Sequence, residues 1–269
     1  MELRDRLAPL TDRLAGVETV QAITVVGSRT TGFSTPDSDV DLFVYVDGPS
    51  EDDGLLGERA VVADELGAPE RFRRVGQPAH PNTDVWTLRD GGLLLDVTFW
   101  SRAWAEAELD WRLVARSPQV GGSTAFWRSI RDGVPLFERD DWHPRLQARS
   151  RTAYPAVLRE RVIALNRDLL GPENPFSYLH QVASALTESD PVSAQRATSR
   201  WSASYFDVLF AINRVLHPGE KRLVAFAERE CVALPDDLAA DVDLIAHPHD
   251  GLPAHLERML ERLDGLSGP

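Results

Sequence analysis

The chain of 269 residues contains one cysteine, Cys231, and one lysine, Lys221. A single thiol excludes an internal disulfide framework and any zinc site built on cysteine pairs. The remaining basic residues are all arginine, and asparagine is nearly as scarce as lysine. That pairing points to a GC-rich coding bias, and it leaves Lys221 as the chain's single ammonium side chain. Positive charge is short overall: 29 Lys and Arg stand against 42 Asp and Glu, a net charge of −13. A field of that sign repels phosphate backbones and anionic headgroups, which disfavours a general nucleic-acid or membrane-surface binder. Cationic small molecules and divalent metals are drawn to it instead. Long apolar runs are missing too. The longest stretch without Asp, Glu, Lys or Arg runs from Asn174 to Thr187, too short and too polar to span a bilayer. The opening segment Met1–Arg6 carries acids and no apolar core, so no signal peptide is expected there and a cytoplasmic location is.

What is present suits a folded chain: 43% hydrophobic and 26% charged residues, enough to build a core. The length fits two modest domains. Leu3, Leu7, Leu10 and Leu14 recur at helical spacing. Val20–Val26 is rich in β-branched residues and ends at Gly27, as a buried strand would. After a polar turn with Gly32 and Pro36, Asp39–Val46 alternates as a second strand. A helix is expected over Leu56–Leu66, then a hairpin of Asp84–Arg89 and Leu93–Trp100 around Asp90-Gly91-Gly92. Beyond Trp100 helical periodicity takes over at 102–115, 122–132, 152–170, 175–188, 192–216, 219–230 and 252–264. Prolines fall near the expected helix ends. The expected fold class is α+β: a small mixed-sheet domain over residues 1–140, then an all-α domain over 141–269.

The chemistry concentrates in Gly27-Ser28 and Ser38-Asp39-Val40-Asp41-Leu42. Strand alternation puts Asp39 and Asp41 on one face, followed by Phe43 and Tyr45, with Val40, Leu42, Val44 and Val46 on the other. Two carboxylates so placed repel unless a cation lies between them, and their hard oxygens suit Mg²⁺. Asp96 is a lone acid in the otherwise apolar Leu93–Phe99, on the face of Leu94 and Thr98. Buried unpaired it would be costly. If its strand lies beside Asp39–Val46, it completes a three-carboxylate set able to hold metal during in-line displacement. A strand ending in glycine, with serine opening a short helix, offers backbone N–H groups and a hydroxyl to a phosphate. No Gly-x₄-Gly-Lys-[Ser/Thr] loop, Gly-x-Gly-x-x-Gly helix opening or Gly-x-Ser-x-Gly elbow is present.

Gly-Ser, nine residues, Ser-Asp-x-Asp-Leu and a later strand aspartate together resemble the nucleotidyltransferase superfamily, whose fold is shared with polymerase beta. The resemblance covers residues 10–100. It implies that Gly27 and Ser28, beside Ser38, grip the nucleoside triphosphate, and that Asp39, Asp41 and Asp96 are metal ligands or help activate the acceptor. A helical second domain resembles the antibiotic nucleotidyltransferases acting on aminoglycosides or lincosamides. The implied reaction is Mg²⁺-dependent transfer of a nucleoside monophosphate, AMP from ATP foremost, to a small-molecule hydroxyl with release of pyrophosphate. The resemblance also implies Lys221 as a triphosphate contact, and Tyr205 is read as facing adenine or acceptor.

Plainer roles compete with these. Asp39 and Asp41 could be solvated turn acids, Asp96 an arginine partner and Lys221 a surface residue. Trp104 and Trp111, seven residues apart on one helix face, read as core packing ahead of ligand stacking. Glu106, Glu108 and Asp110 read as a solvated helix surface, and His247-Pro248-His249-Asp250 as a connecting turn. Two other functions stay open: a nucleotidyltransferase-type regulator modifying a protein or tRNA, and a catalytically silent nucleotide-binding module.

Overall fold

The computed structural model describes residues 2–50, 52–89 and 92–266. In chain order the elements are α1 (Leu3–Ala15), β1 (Val20–Val26), α2 (Ser28–Thr31), β2 (Val40–Val46), α3 (Asp53–Leu66), β3 (Arg73–Arg74), β4 (Thr83–Thr87) and β5 (Leu94–Ser101). There follow α4 (Arg102–Leu113), α5 (Ala125–Asp132), β6 (Val134–Glu138), α6 (Trp142–Ser150), α7 (Ala156–Leu170), α8 (Tyr178–Thr187), α9 (Pro191–Ile212), α10 (Leu223–Glu230), α11 (Leu238–Leu244) and α12 (Leu252–Gly265). The chain forms two compact units. One runs to Leu109 and resumes over Trp127–Thr152, and the other takes Asp110–Phe126 and the residues from Ala153 onward. The boundary read at 140 therefore falls inside the first unit, which keeps α6.

The first unit is built on a six-stranded sheet in the order β3-β4-β5-β2-β1-β6. Every neighbouring pair is antiparallel except β2 and β5, which run parallel. The period-two pattern of β2 sorts its side chains as the sequence implies. Val40, Leu42, Val44 and Val46 are buried, and they join Leu95, Val97 and Phe99 of β5 in a core closed by Leu7, Leu10 and Leu14 of α1 and by Leu55 and Val62 of α3. Alternation makes the opposite face more polar, and it carries Asp41, Phe43, Asp96 and Thr98. At one end that face is covered by α6, where Trp142 and His143 pack on the ring of Tyr45, both at 5.4 Å between ring centroids. Under the other face, Arg59 donates to both carboxylate oxygens of Asp84 at 2.8 and 2.5 Å while its guanidinium lies over Phe99. This buried pair ties α3 to β4.

The expected hairpin forms, with Thr87 opposite Leu94 and Asp96 opposite Val85; Asp90 and Gly91 of its turn lie outside the described residues. β3, β6, α6 and α11 are additional to the expected elements. β3 has two residues and no periodicity to read. β6 contains Pro135, which suits the sheet edge that the strand occupies.

In the second unit α9 packs against α7 and α8. Its start is set by Pro191 at the first turn and by Asp190, whose carboxylate accepts from the Val192 and Ser193 N–H groups. The loop before α5 is fastened within this unit. Asp207 of α9 accepts from the Ser123 N–H at 2.9 Å, and Arg112 donates to the Ser123 and Ser117 carbonyls at 2.6 and 3.1 Å. Burial pushes the Asp207 carboxyl up to about 6, against hydrogen bonding at Ser123 and the nearby Arg112 guanidinium. No helix among the described residues is long and apolar enough to cross a membrane.

Candidate active site

The site is assembled where β1 turns into α2 beside the start of β2. β1 ends at Val26, which stands opposite Asp41. Gly27 then adopts φ 71°, ψ −144°, a region open in practice only to glycine. The glycine is also required by space, since a Cβ on it would lie 2.1 Å from Asp41 Oδ2 and 2.9 Å from Cγ. The carboxylate of Asp41 thus rests against bare backbone. Ser28 opens the short helix α2, and its Oγ is shut off from solvent without a hydrogen-bond partner among the described residues. A sequestered hydroxyl of that kind is an unmet donor and acceptor. It sits in the chain next to the residue that Asp41 covers.

The parallel register of β2 and β5 places Asp41 directly beside Asp96, with Phe43 beside Thr98 and Tyr45 beside Trp100. Neighbouring strands lie about 4.8 Å apart, so Asp41 and Asp96 are on one face of adjacent strands. Asp39 lies one residue before β2. It is held through its backbone, Arg29 donating Nε to the Asp39 carbonyl at 3.0 Å and Nη2 to the Ser38 carbonyl. The Ser38 hydroxyl accepts from the Thr35 N–H at 2.8 Å and so closes the turn leading into β2. Arg29 is a positioning residue that the sequence reading passed over. Its only signal there is its place immediately after Gly-Ser.

These oxygens are the hard donors that a divalent cation prefers, and Ser28, with its unmet hydroxyl, follows in sequence the glycine on which the Asp41 carboxylate rests. The donor set therefore fits Mg²⁺ in chemistry. The full three-acid cluster is a different matter: among the described residues no group of three or more His, Cys, Asp or Glu side chains is gathered closely enough to hold a metal ion. The structure brings Asp41 and Asp96 into register and leaves Asp39 at the mouth of its strand.

The other predicted contacts lie in the second unit. Lys221 is exposed in the stretch between α9 and α10. Tyr205 is 1% exposed. Its ring stacks on Trp201 at 5.1 Å, and burial raises its hydroxyl pKa. It is a core side chain of α9, because the helix buries its face around Phe206 and Phe210 on this side as well; a nucleotide contact would need that core to open. The two tryptophans of α4 depart from expectation in the opposite sense. Trp104 is 39% and Trp111 57% exposed, so neither is packed away as the core reading required. Glu106 accepts from Trp142 Nε1 at 2.6 Å, a structural tie rather than a solvated surface acid.

Residues 8–80, in the first unit, match the family model described as nucleotidyltransferase domain. The match includes Gly27, Ser28, Ser38, Asp39 and Asp41 and ends before Asp96. No curated protein matches the chain. Among solved structures, a nucleotidyltransferase-like protein from Exiguobacterium sibiricum 255-15 is similar at 15% identity and a TM-score of 0.45, covering 99% of this chain and 74% of that one. Spectinomycin adenyltransferase AAD(9) from Enterococcus faecialis, solved with ATP and spectinomycin, gives 9% and 0.36 over 98% of this chain and 100% of that one. The CdnC:HORMA-deltaN complex from E. coli MS115-1 gives 14% and 0.31, with 98% and 83% covered. Likenesses of this order carry no argument about ligands.

Proposed function

We propose that the chain transfers a nucleoside monophosphate, AMP from ATP, to a hydroxyl of a small molecule and releases pyrophosphate. The observation that carries this reading is the juxtaposition of Asp41 with Asp96 across a parallel strand pair, over a glycine whose missing Cβ makes room for the Asp41 carboxylate. The acceptor oxygen bonds to the α-phosphorus while the bond from that phosphorus to the bridging oxygen of the β-phosphate breaks. The electron pair leaves with pyrophosphate, and the hydroxyl proton passes to a carboxylate, assigned to Asp96. Gly27 lets the triphosphate approach the backbone, and the Ser28 hydroxyl supplies a hydrogen bond that it does not make among the described residues. Ser38 and Arg29 hold the turn that presents Asp39. Magnesium, bound by Asp39 and Asp41 with Asp96 beside them, would supply charge neutralisation of the phosphates. The rest of the acceleration is positioning.

The test is pyrophosphate release from ATP with Mg²⁺ and a panel of amino-hydroxyl acceptors. Asp39→Ala and Asp41→Ala are expected to lower turnover by about 10²–10³-fold or more with unfolding cooperativity retained. Near-wild-type turnover in either variant refutes the reading.

A further inference from the structure

The face that carries the two acids extends past them toward the open edge of the sheet, where β3 pairs with β4 and β4 with β5. Arg74 stands opposite Val85, Val85 opposite Asp96, and Asp96 beside Asp41. Directly paired residues emerge on one side of a sheet, so Arg74, Val85, Asp96 and Asp41 form a row across the acid-bearing face. The preceding residue confirms the alternation: Arg73 donates to Asp64 and to the Ala60 carbonyl of α3, under the opposite face. Arg74 is half-buried. Its Nε is shut off from solvent without a hydrogen-bond partner, and its guanidinium forms no ion pair among the described residues. A guanidinium has five donors and no acceptor, and a buried donor left unmet marks a missing partner. Asp96 is not that partner, because Val85 separates the two in the row by two strand spacings, about 9–10 Å.

The strand order also fixes the side of the acids on which Arg74 lies. Gly27 and Ser28 follow β1, on one flank of the β2–β5 pair, and β4 and β3 occupy the other. In-line displacement brings the attacking oxygen from the side opposite the departing pyrophosphate. With the triphosphate at Gly27 and Ser28, the acceptor enters from the flank that holds Val85 and Arg74. A chain of net charge −13 repels oxyanions in general, so a site that takes one needs a local cation.

We propose that Arg74 anchors the acceptor, and that the acceptor is a small hydroxyl compound bearing an oxyanion, a carboxylate or a phosphate. The oxyanion pairs with the Arg74 guanidinium, the body of the acceptor lies over Val85, and its hydroxyl reaches Asp96 and Asp41. This inference rests on the nucleotidyl-transfer reading for the flank and for the fate of the hydroxyl, but the preference for an anion can be measured without catalysis.

The experiment is titration of the full chain, without nucleotide, with two matched pairs followed by ligand-observed NMR: phloretate with its primary amide, and glycerophosphate with glycerol. Wild type is expected to bind the anion of at least one pair about tenfold or more tighter than its neutral partner, as a charge-assisted hydrogen bond contributes. Discrimination in the first pair alone assigns a carboxylate, and in the second alone a phosphate. Arg74→Gln should abolish the preference with the unfolding temperature unchanged, since the side chain has no polar partner in the fold to lose. Arg74→Lys, which keeps the charge without the planar fork, should retain part of it and serves as the reading if Arg74→Gln disturbs folding. Equal binding within both pairs by wild type overturns the proposal. So does a preference that Arg74→Gln leaves intact, including the case in which that variant weakens ATP binding instead. The transfer reading stands or falls separately, on the turnover of Asp39→Ala and Asp41→Ala.

Discussion

Replacing Gly27 with alanine puts the site's construction to its most direct trial. Two costs arise. The backbone at φ 71°, ψ −144° is a conformation that charges a side-chain-bearing residue about 1–3 kcal/mol. The new Cβ also lands 2.1 Å from Asp41 Oδ2, and forcing a methyl into packed surroundings adds about 1–3 kcal/mol more. The expected loss is about 3 kcal/mol, a fall in Tm of about 6–12 °C at this size. The functional loss should exceed what instability explains. Ordinary contact requires the Asp41 carboxylate to move by roughly 1 Å, and misplacement on that scale costs about 10²-fold in rate. The assay is kcat/KM for pyrophosphate release, measured well below the lowered Tm, alongside thermal unfolding. A double-mutant cycle separates the two terms: in an Asp41→Ala background the packing term should shrink while the backbone term persists. Wild-type kcat/KM in Gly27→Ala, or a stability loss unaffected by truncating Asp41, would refute the close approach as the reason for glycine.

Two further predictions concern buried charge. Asp84→Ala strands the Arg59 guanidinium, which is fully enclosed and bound to both Asp84 oxygens. Denaturant unfolding should show a loss of about 3–5 kcal/mol, and a loss below about 1 kcal/mol would show that the pair contributes little to joining α3 and β4. Asp207 tests the second unit. Its carboxyl is raised to about 6 by burial, so between about pH 4 and pH 6 the folded chain keeps a proton that the unfolded chain gives up. Stability contributed at this site therefore falls as pH rises through that window. A displacement of roughly two pH units at 1.36 kcal/mol each makes the full penalty about 3 kcal/mol above pH 6. Asp207→Asn keeps an acceptor for the Ser123 N–H and lacks the ionisation. The stability difference between wild type and variant should move in the variant's favour from pH 4 to pH 7, and a flat or reversed difference contradicts the assignment.

Much of the first unit could be read from local pattern. α1, β1, β2 and the β4–β5 hairpin follow from period and turn chemistry, and Gly27-Ser28 with Asp39 and Asp41 follows from spacing. Asp96 was legible because an isolated acid in an apolar strand needs a reason. What local pattern could not convey is register. Nothing in Leu93–Phe99 says that its neighbour is β2, that the two run parallel, or that Asp96 lands on Asp41 instead of Phe43. Arg29 was missed because its partners are carbonyl oxygens, which leave no trace in residue types. Periodicity likewise finds the stripe shared by Trp104 and Trp111 but not the side on which it falls. Tyr205 failed in the mirror sense, a polar-tipped ring that the helix turns inward.

The lone parallel pairing in an otherwise antiparallel sheet has a consequence for how this chain can vary. Parallel neighbours need a long connection, and between β2 and β5 that connection is the whole excursion through α3, β3 and β4. Lengthening an exposed turn within it alters loop closure only weakly and leaves both acids where they are. Adding or removing one residue inside β2 or β5 reverses the side on which each later residue emerges, carrying an aspartate from the solvent side into the hydrocarbon core. The acids are therefore indifferent to the length of the path that joins them and intolerant of any slip in the strands that hold them, so tolerated insertions and deletions should collect in the excursion and stop short at both strands.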